Sequence, residues 1–493
     1  MTPWRGFGSE LQLSPQGFIM IGTITSFISR LLRDRSKAWQ SSTELDNLAL
    51  WGLIRNQHGE ISIQGHSVTQ LMAEFGSPLL VVHQEKLLAD AASICDALNR
   101  LVPEAKVLYS YKTNCIPGIL RELHAIGIGA EVISPYELWL AEQLGVPGDN
   151  VVYNGVDKND ESLRRAIAMG VMSINLDSAD EIERVYAISR EMNKRVRIGV
   201  RLALSDKTQF GLNLKNGEAL SVCRRIASYS DYCDLTSIHF NVTSNAKTPD
   251  IHIRCGEQAL GFIKLLHDTT GQKITFLDIG GGFGVPTSKN MTGGEYGLYR
   301  LFGTPPRPPR LQECHEISDY LAEVISALNT CAANLRIPMP RLLVEPGRFI
   351  TSRAEFLLST VLAIKEKQGA PLFAITDAGR LSITFPCDFE YHKVHLALLP
   401  ETRKTGEKLL YHVMGRICTS ADWMFKNCYL PKMKSGDVLA TMDAGAYFSS
   451  YSSNFAFPRP AIVMVVTAGK TYVLRNRETF EHLVAMDMLG CQG

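Results

Sequence analysis

Between residues 78 and 350, short apolar or β-branched runs alternate with longer stretches whose apolar positions recur every three or four residues. The runs are 79-LLVVH-83, 107-VLYSY-111, 130-AEVIS-134, 151-VVYN-154, 173-SINLD-177, 196-VRIGVRL-202, 235-LTSIHF-240, 274-ITFLDIG-280 and 342-LLVEPG-347. Between them lie helix-patterned segments such as 84-QEKLLADAASICDALNRL-101 and 160-DESLRRAIAMG-170. Eight or so β/α units in about 270 residues predict a closed (β/α)₈ barrel rather than an open doubly wound sheet. No GxGxxG follows the first run, which weakens the dinucleotide-binding alternative.

After residue 350 the pattern shortens to period-two segments bounded by Gly, Pro and Asp: 371-PLFAITDAG-379, 409-LLYHVMGRICTS-420, 437-DVLATMDAGAY-447 and 461-AIVMVVTAGKTYVLRNRET-479. These predict antiparallel strands and a β-rich C-terminal domain over 351–493, a barrel or sandwich, to which residues 46–77 add a strand. The stretch 285–315, with 303-GTPPRPPR-310, reads as a long irregular insertion on the barrel, a lid or an interface loop. Residues 1–45 read as an extension outside the main fold, either a disordered tail or an amphipathic helix against a partner chain.

Composition narrows the function classes. The formal net charge of +1 with 20% charged residues gives no field for nucleic acid or an anionic membrane surface. Eleven cysteines without a CxxC pair read as reduced thiols in a cytosolic-type compartment, and neither a disulfide framework nor a cysteine zinc site is indicated. The apolar stretch at 17–28 is too short to span a bilayer and its basic cluster follows it, the reverse of a signal peptide.

Five strings could carry chemistry. Lys112 ends an apolar strand in 107-VLYSYKTNCIP-117, at the C-terminal mouth of a barrel strand. Desolvation there lowers an amine's pKa and makes it a nucleophile toward aldehydes; the other reading is a snorkelling surface lysine. The string 278-DIGGGFG-284 reads as a phosphate cradle, helped by a following helix N-terminus, or as a tight turn. In 344-VEPGRFI-350, Arg348 could bind a phosphate while Glu345 points elsewhere, or the two form a structural ion pair. Cys418 in 415-GRICTSAD-422 is an acid or nucleophile, or a buried hydrophobe. Tyr447 in 443-DAGAYFSSYSSNF-455 could present its hydroxyl to an anion.

In this order and spacing the five strings resemble the ornithine and diaminopimelate decarboxylase group of pyridoxal-phosphate enzymes, with the alanine-racemase-like fold. The likeness runs from residue 78 to the C-terminus, with further marks in 129-GAEVISPYELWLAEQLG-145, 153-YNGVDKNDESL-163, 174-INLDSADEIERV-185 and 209-QFG-211. It implies that Lys112 links covalently to pyridoxal 5′-phosphate and that Glu345 binds the pyridine nitrogen. Gly281, Gly282, Ser244, Arg348 and Tyr447 would hold the phosphate. Cys418 matches a cysteine that this family reaches across a dimer interface, which implies a homodimer with shared sites, and it would act as general acid toward Cα. No metal is implied.

A carboxylate at the ring nitrogen keeps it protonated and the ring a strong electron sink, so Glu345 favours decarboxylation over the racemase or epimerase branch, which places an arginine there. A non-catalytic homologue is opposed by the presence of Lys112. Three departures bear on substrate. The family's HxHxGS reads 239-HFNVTS-244, so Asn241 replaces the ring-stacking imidazole. Thr419 stands where an acidic residue meets the distal amine, and Phe385 where diaminopimelate decarboxylases carry an arginine for the distal carboxylate. Asp422 closes the same string as a further substrate-side residue. Without those charges a zwitterionic distal end would be buried unpaired, at several kcal/mol. The expected substrate is an amino acid or conjugate with a neutral or acylated distal end, as in siderophore, polyamine or specialised-metabolite biosynthesis, although Glu131, Asp388 or Glu390 could supply a charge from another direction.

Overall fold

The computed structural model describes Lys37, residues 44–205, 207–384, 386–400 and 406–487. The expectation for residues 1–45 falls outside these apart from Lys37, Glu44 and Leu45, and Phe385 also lies outside the described residues.

Eight parallel strands close on themselves in the order Lys106–Ser110, Gly129–Val132, Val151–Tyr153, Ser173–Leu176, Val196–Ala203, Cys233–His239, Phe276–Asp278 and Arg341–Val344, bearing out the (β/α)₈ barrel. Closure comes where Leu343 pairs with Lys106 and Val344 with Val107. Strands covered by helices on one side and core on the other bury both faces, which is why they read as continuous apolar runs. Gly129–Val132, Val151–Tyr153 and Ser173–Leu176 are buried at every position. The helices carry ordinary sequence signals: Asn159 caps Asp160–Met169 by accepting from Ser162 N, and Gly170, left-handed at φ 65°, ends it.

The run 79-LLVVH-83, expected among the barrel strands, belongs to the second sheet. It pairs antiparallel with the start of Glu355–Lys365 and parallel with Ala461–Val466. Its side chains are buried on both faces, so it shows the apolar run of a barrel strand although its partners lie from 273 to 382 residues downstream. The second sheet runs Trp423–Pro431, Lys408–Met414, Leu372–Thr376, Glu355–Lys365, Leu79–His83, Ala461–Val466 and Lys470–Arg475, with Val438–Thr441 branching from Glu355–Lys365 and Val394–Leu396 pairing on Val438–Thr441. It is the β-rich C-terminal domain read from the sequence.

Residues 46–77 and the insertion both carry regular elements. Residues 46–77 form their own three-stranded sheet and the helix Val68–Phe75, and they pack on the second sheet through Trp51, Leu53, Ile61 and Val68 against Phe356, Ala397 and Ala440. The insertion is not irregular throughout. Lys289–Asn290 pairs with Glu390–Tyr391, and Gly293–Phe302 is a ten-residue helix whose Thr292 and Glu295 form a capping box. Two glycines at its start hid that helix from a propensity reading.

Candidate active site

Barrel closure places the loop after Arg341–Val344 against the turn after Lys106–Ser110. Ser110 N–H donates to Pro346 O at 3.1 Å, and a Cβ on Gly347 would lie 2.0 Å from Thr113 Oγ1, so only glycine lets the two segments touch. Lys112 sits in the 3₁₀ turn Tyr111–Thr113 at this C-terminal mouth, where barrel active sites are built.

Its Nζ donates to Glu131 Oε2 at 3.1 Å, which removes the snorkelling reading. Burial works to lower the amine's pKa, as expected from the sequence. The charges of Glu131 and Glu345 outweigh it, and the net displacement is upward. The expected depression is therefore corrected: with these two carboxylates beside it, the amine stays an ammonium.

A chain of hydrogen bonds ties the cluster together across the barrel. Ser110 Oγ donates to Glu131 Oε2 at 2.5 Å. The Asn154 amide donates one N–H to Glu131 Oε1 at 2.9 Å and one to Glu345 Oε1 at 2.7 Å, and its own carbonyl accepts from Asn175 Nδ2 at 2.8 Å. His239 Nε2 lies 3.4 Å from Glu345 Oε2, and Asp278 completes a trio with these two whose ligand atoms all fall within 4.8 Å of one another. Burial pushes Glu345 toward the neutral form, but His239 and Lys112 hold it anionic, at about 2. Burial and the charge of Glu345 drive Asp278 the other way, well above the usual carboxylate range. One carboxylate is thus kept charged and its neighbour neutral. Asn154, His239 and Asp278 were given no role in the sequence reading, although they open or lie inside quoted strings; an asparagine that bridges two acids has no one-dimensional signal.

The glycine loop 280–282 is wedged between two other loops. A Cβ on Gly281 would lie 2.1 Å from Glu345 O, and one on Gly282, at φ +86°, 2.4 Å from Thr243 O. Packing therefore demands these glycines as much as any ligand does. No helix follows directly, contrary to expectation; the chain continues to Lys289–Asn290 before the next helix. Ser244 is exposed, and Asn241 lies beside Gly280 at the end of the adjacent strand. Arg348 is buried, and its fork is engaged by Glu390, Nη1 to Oε2 at 3.0 Å and Nη2 to Oε1 at 2.6 Å. The ion pair is thus with Glu390 and not with Glu345, and the Nε of Arg348 is left without a partner. Tyr447 holds φ 72°, a conformation sparsely populated by aromatic residues. Its N–H donates to Thr113 O at 2.9 Å and its ring lies 5.4 Å from the Arg348 guanidinium, so the second domain delivers it to the Lys112 turn.

The 415–422 string is placed differently. Cys418 and Thr419 are exposed, which removes the buried-hydrophobe reading of Cys418. Asp422 is buried beneath them: its Oδ2 accepts from Ile417 N–H at 2.7 Å and its Oδ1 from Arg380 N–H at 2.8 Å. It shapes the loop that presents Cys418. Glu390 is committed to Arg348 and Asp388 to Arg380 at 3.0 Å.

A lysine, an anionic carboxylate and a glycine cradle at the mouth of a parallel barrel, capped by a β domain, define a fold-type III pyridoxal enzyme. The family model "Pyridoxal-dependent decarboxylase, pyridoxal binding domain" matches residues 88–352, more than half of the chain, and the chain belongs to that family as a pyridoxal-phosphate-dependent carboxy-lyase. It is similar to diaminopimelate decarboxylase of Methanothermobacter thermautotrophicus, 29% identical over 441 residues, covering 87% of this chain and 96% of that one. It is similar also to that of Aquifex aeolicus, 25% identical over 443 residues, covering 86% and 95%. The crystal structure of diaminopimelate decarboxylase from Methanocaldococcus jannaschii superposes with a TM-score of 0.77 at 25% identity, covering 89% of this chain and 98% of that one.

The cofactor these comparisons imply fits the residues present. Buried Glu345 Oε2 has no hydrogen-bond partner, and among the described residues no hydrogen bond takes the N–H of Gly281 or Gly282. One anionic acceptor and two donors at the barrel mouth are what a pyridinium nitrogen and a phosphate require.

Proposed function

We propose that this decarboxylase acts on an amino acid or amino-acid conjugate whose distal end is neutral or acylated. The observation that carries the reading is that the carboxylates able to meet a distal amine are already engaged: Glu131 by Ser110 and Asn154, Asp388 by Arg380, Glu390 by Arg348 and Asp422 by two backbone N–H groups. Thr419 offers a hydroxyl where a charge would be needed, and Phe385 offers no charge for a distal carboxylate.

Bound pyridoxal phosphate supplies an electron sink for the pair released when the Cα carboxylate leaves as CO₂. Lys112 would carry it covalently, and Glu345, held anionic, would keep a proton on the ring nitrogen. Asn154 fixes that carboxylate's orientation. Gly281, Gly282, Ser244 and Tyr447 would hold the phosphate, with Arg348 contributing charge from its pair with Glu390, and Asn241 would lie against the ring face. Cys418, exposed on its own subunit, would reach the site of a partner subunit and deliver the proton to Cα, so the working unit is a homodimer. Among the described residues no helix is long and apolar enough to cross a membrane; with eleven cysteines and no CxxC pair, the reading is of a cytoplasmic enzyme.

The test is CO₂ release by the holoenzyme from meso-diaminopimelate, L-lysine, L-ornithine and their ω-N-acyl derivatives. The reading expects kcat/KM for an acylated or neutral-ended substrate to exceed that for each zwitterionic or dibasic one by at least about tenfold, the scale of one unpaired polar group. Preference for meso-diaminopimelate would overturn it.

A further inference from the structure

Away from the barrel mouth, the N-terminal sheet and the second domain enclose a cavity of about 370 Å³. Arg55, Lys393 and Lys408 line it, with Asp46 as the sole carboxylate among the described lining residues. Lys393 Nζ lies 2.6 Å from Asp46 Oδ1 and Lys408 Nζ 3.9 Å from Oδ2, so two ammonium groups share one carboxylate. Arg55 adds a third cation. Its Nη1 donates to Gly59 O at 2.8 Å and Ala397 O at 3.0 Å, and its Nη2 to Leu396 O at 2.9 Å, all neutral acceptors that fix the guanidinium without cancelling its charge. Among the described lining residues, three cations against one carboxylate leave an excess of two positive charges in the recess.

His395 also lines the recess. It is buried, its Nε2 has no hydrogen-bond partner, and its ring is fixed edge-on against Trp51 with centroids 5.8 Å apart. Burial and then the three surrounding cations hold its pKa well below the ordinary value. The lining shares no residue with the Lys112 cluster. The Trp51 indole does, however, donate to Asp443 Oδ2 at 3.1 Å, at the head of the 443-DAGAY-447 loop that carries Tyr447.

We propose that this cavity is a second anion site, built for a phosphoryl dianion: two negative charges match the cation excess, and Lys393, Lys408 and Arg55 supply the charge from three separate segments. The site needs no contact with the amino-acid substrate.

The experiment is calorimetric titration of the holoenzyme, whose own cradle is filled by the cofactor phosphate, with inorganic phosphate, with succinate, and with sodium chloride at matched ionic strength. One saturable phosphate site is expected, absent with chloride. Lys408→Gln, a half-exposed position outside the catalytic cluster, should weaken it about tenfold, the scale of one charged hydrogen bond. Lys393→Gln/Lys408→Gln should abolish it. CO₂ release in phosphate-free buffer should be unchanged in Lys408→Gln. Heat that chloride reproduces, phosphate affinity unaltered by Lys408→Gln, or tighter binding of succinate than of phosphate would each overturn the proposal.

Discussion

The Lys112 cluster and the 415–422 loop belong to one proposed reaction but are built in opposite ways. Around Lys112 every carboxylate is buried and locked: Glu131 by Ser110, Lys112 and Asn154, and Glu345 by Asn154 beside His239. The loop bearing Cys418 and Thr419 is exposed, and its one buried anchor, Asp422, is spent on holding the loop's own backbone. A thiol meant to move a proton gains nothing from facing solvent. The proposed homodimer would cover it, whereas the residues proposed to hold the cofactor all come from one chain. In the proposed reaction, charge would be held within one subunit and the proton delivered by its partner.

The largest effect that would break this contrast is at Lys112. Lys112→Ala should lower CO₂ release by more than about three orders of magnitude and remove the covalent cofactor linkage. Borohydride reduction and peptide mapping would locate the pyridoxyl label, and a label on another lysine refutes the assignment. Next, Glu345→Gln should retain the cofactor but slow CO₂ release about 10²–10³-fold, roughly 3–4 kcal/mol of barrier, since an amide no longer stabilises a protonated ring nitrogen. An unchanged rate would make Glu345 structural.

Cys418→Ala should cost about 10²-fold as loss of a general acid. Mixed with Lys112→Ala under subunit exchange, it should restore about a quarter of the sites, because half of a random mixture is heterodimer with one intact site in two. No recovery after exchange proven by mass spectrometry would place the whole site in one chain. Asn154→Ala should slow turnover about tenfold and destabilise the fold by about 1–3 kcal/mol, because two buried carboxylate oxygens lose a donor. A rate equal to that of the unsubstituted enzyme would show that the bridge does not orient Glu345.

The smallest expected effect on rate lies under the Lys112 segment. Asn114 Nδ2 donates to buried Glu355 Oε2 at 2.7 Å, while Oε1 has no partner. Burial lifts this carboxyl to about 8, against the pull of Arg475 and Asn114. A raised acid binds its proton more tightly folded than unfolded, so its linked stability is full below the unfolded pKa of about 4.5 and declines as pH rises through about 8. Glu355→Gln should flatten that decline in a denaturation series while leaving turnover at pH 7 near normal. A decline of unchanged slope would assign it to other groups.

Much of the barrel was legible because a strand buried on both faces is an apolar run and a helix on its surface is amphipathic, and both are local properties of a few residues. Lys112, Glu345 and the glycines stood out because special backbone and charge at strand ends leave strings such as 278-DIGGG-282 and 345-EPGR-348. Local pattern failed where it has no partner information. The run 79-LLVVH-83 joined the other sheet, and the helix Gly293–Phe302 hid behind its glycines.

The sequence by itself therefore determined the architecture, the cofactor class and the identity of the residues at the strand ends. Only the tertiary structure decided what those residues do to one another. Arg348 pairs with Glu390, 42 positions away, and Asn154, which also holds Glu131, reaches Glu345 191 positions away. The net rise in the Lys112 pKa comes from two acids, one on another strand and one in the loop after a third. Burial and Coulomb energies depend on distance through space, and at these separations no spacing along the chain encodes it.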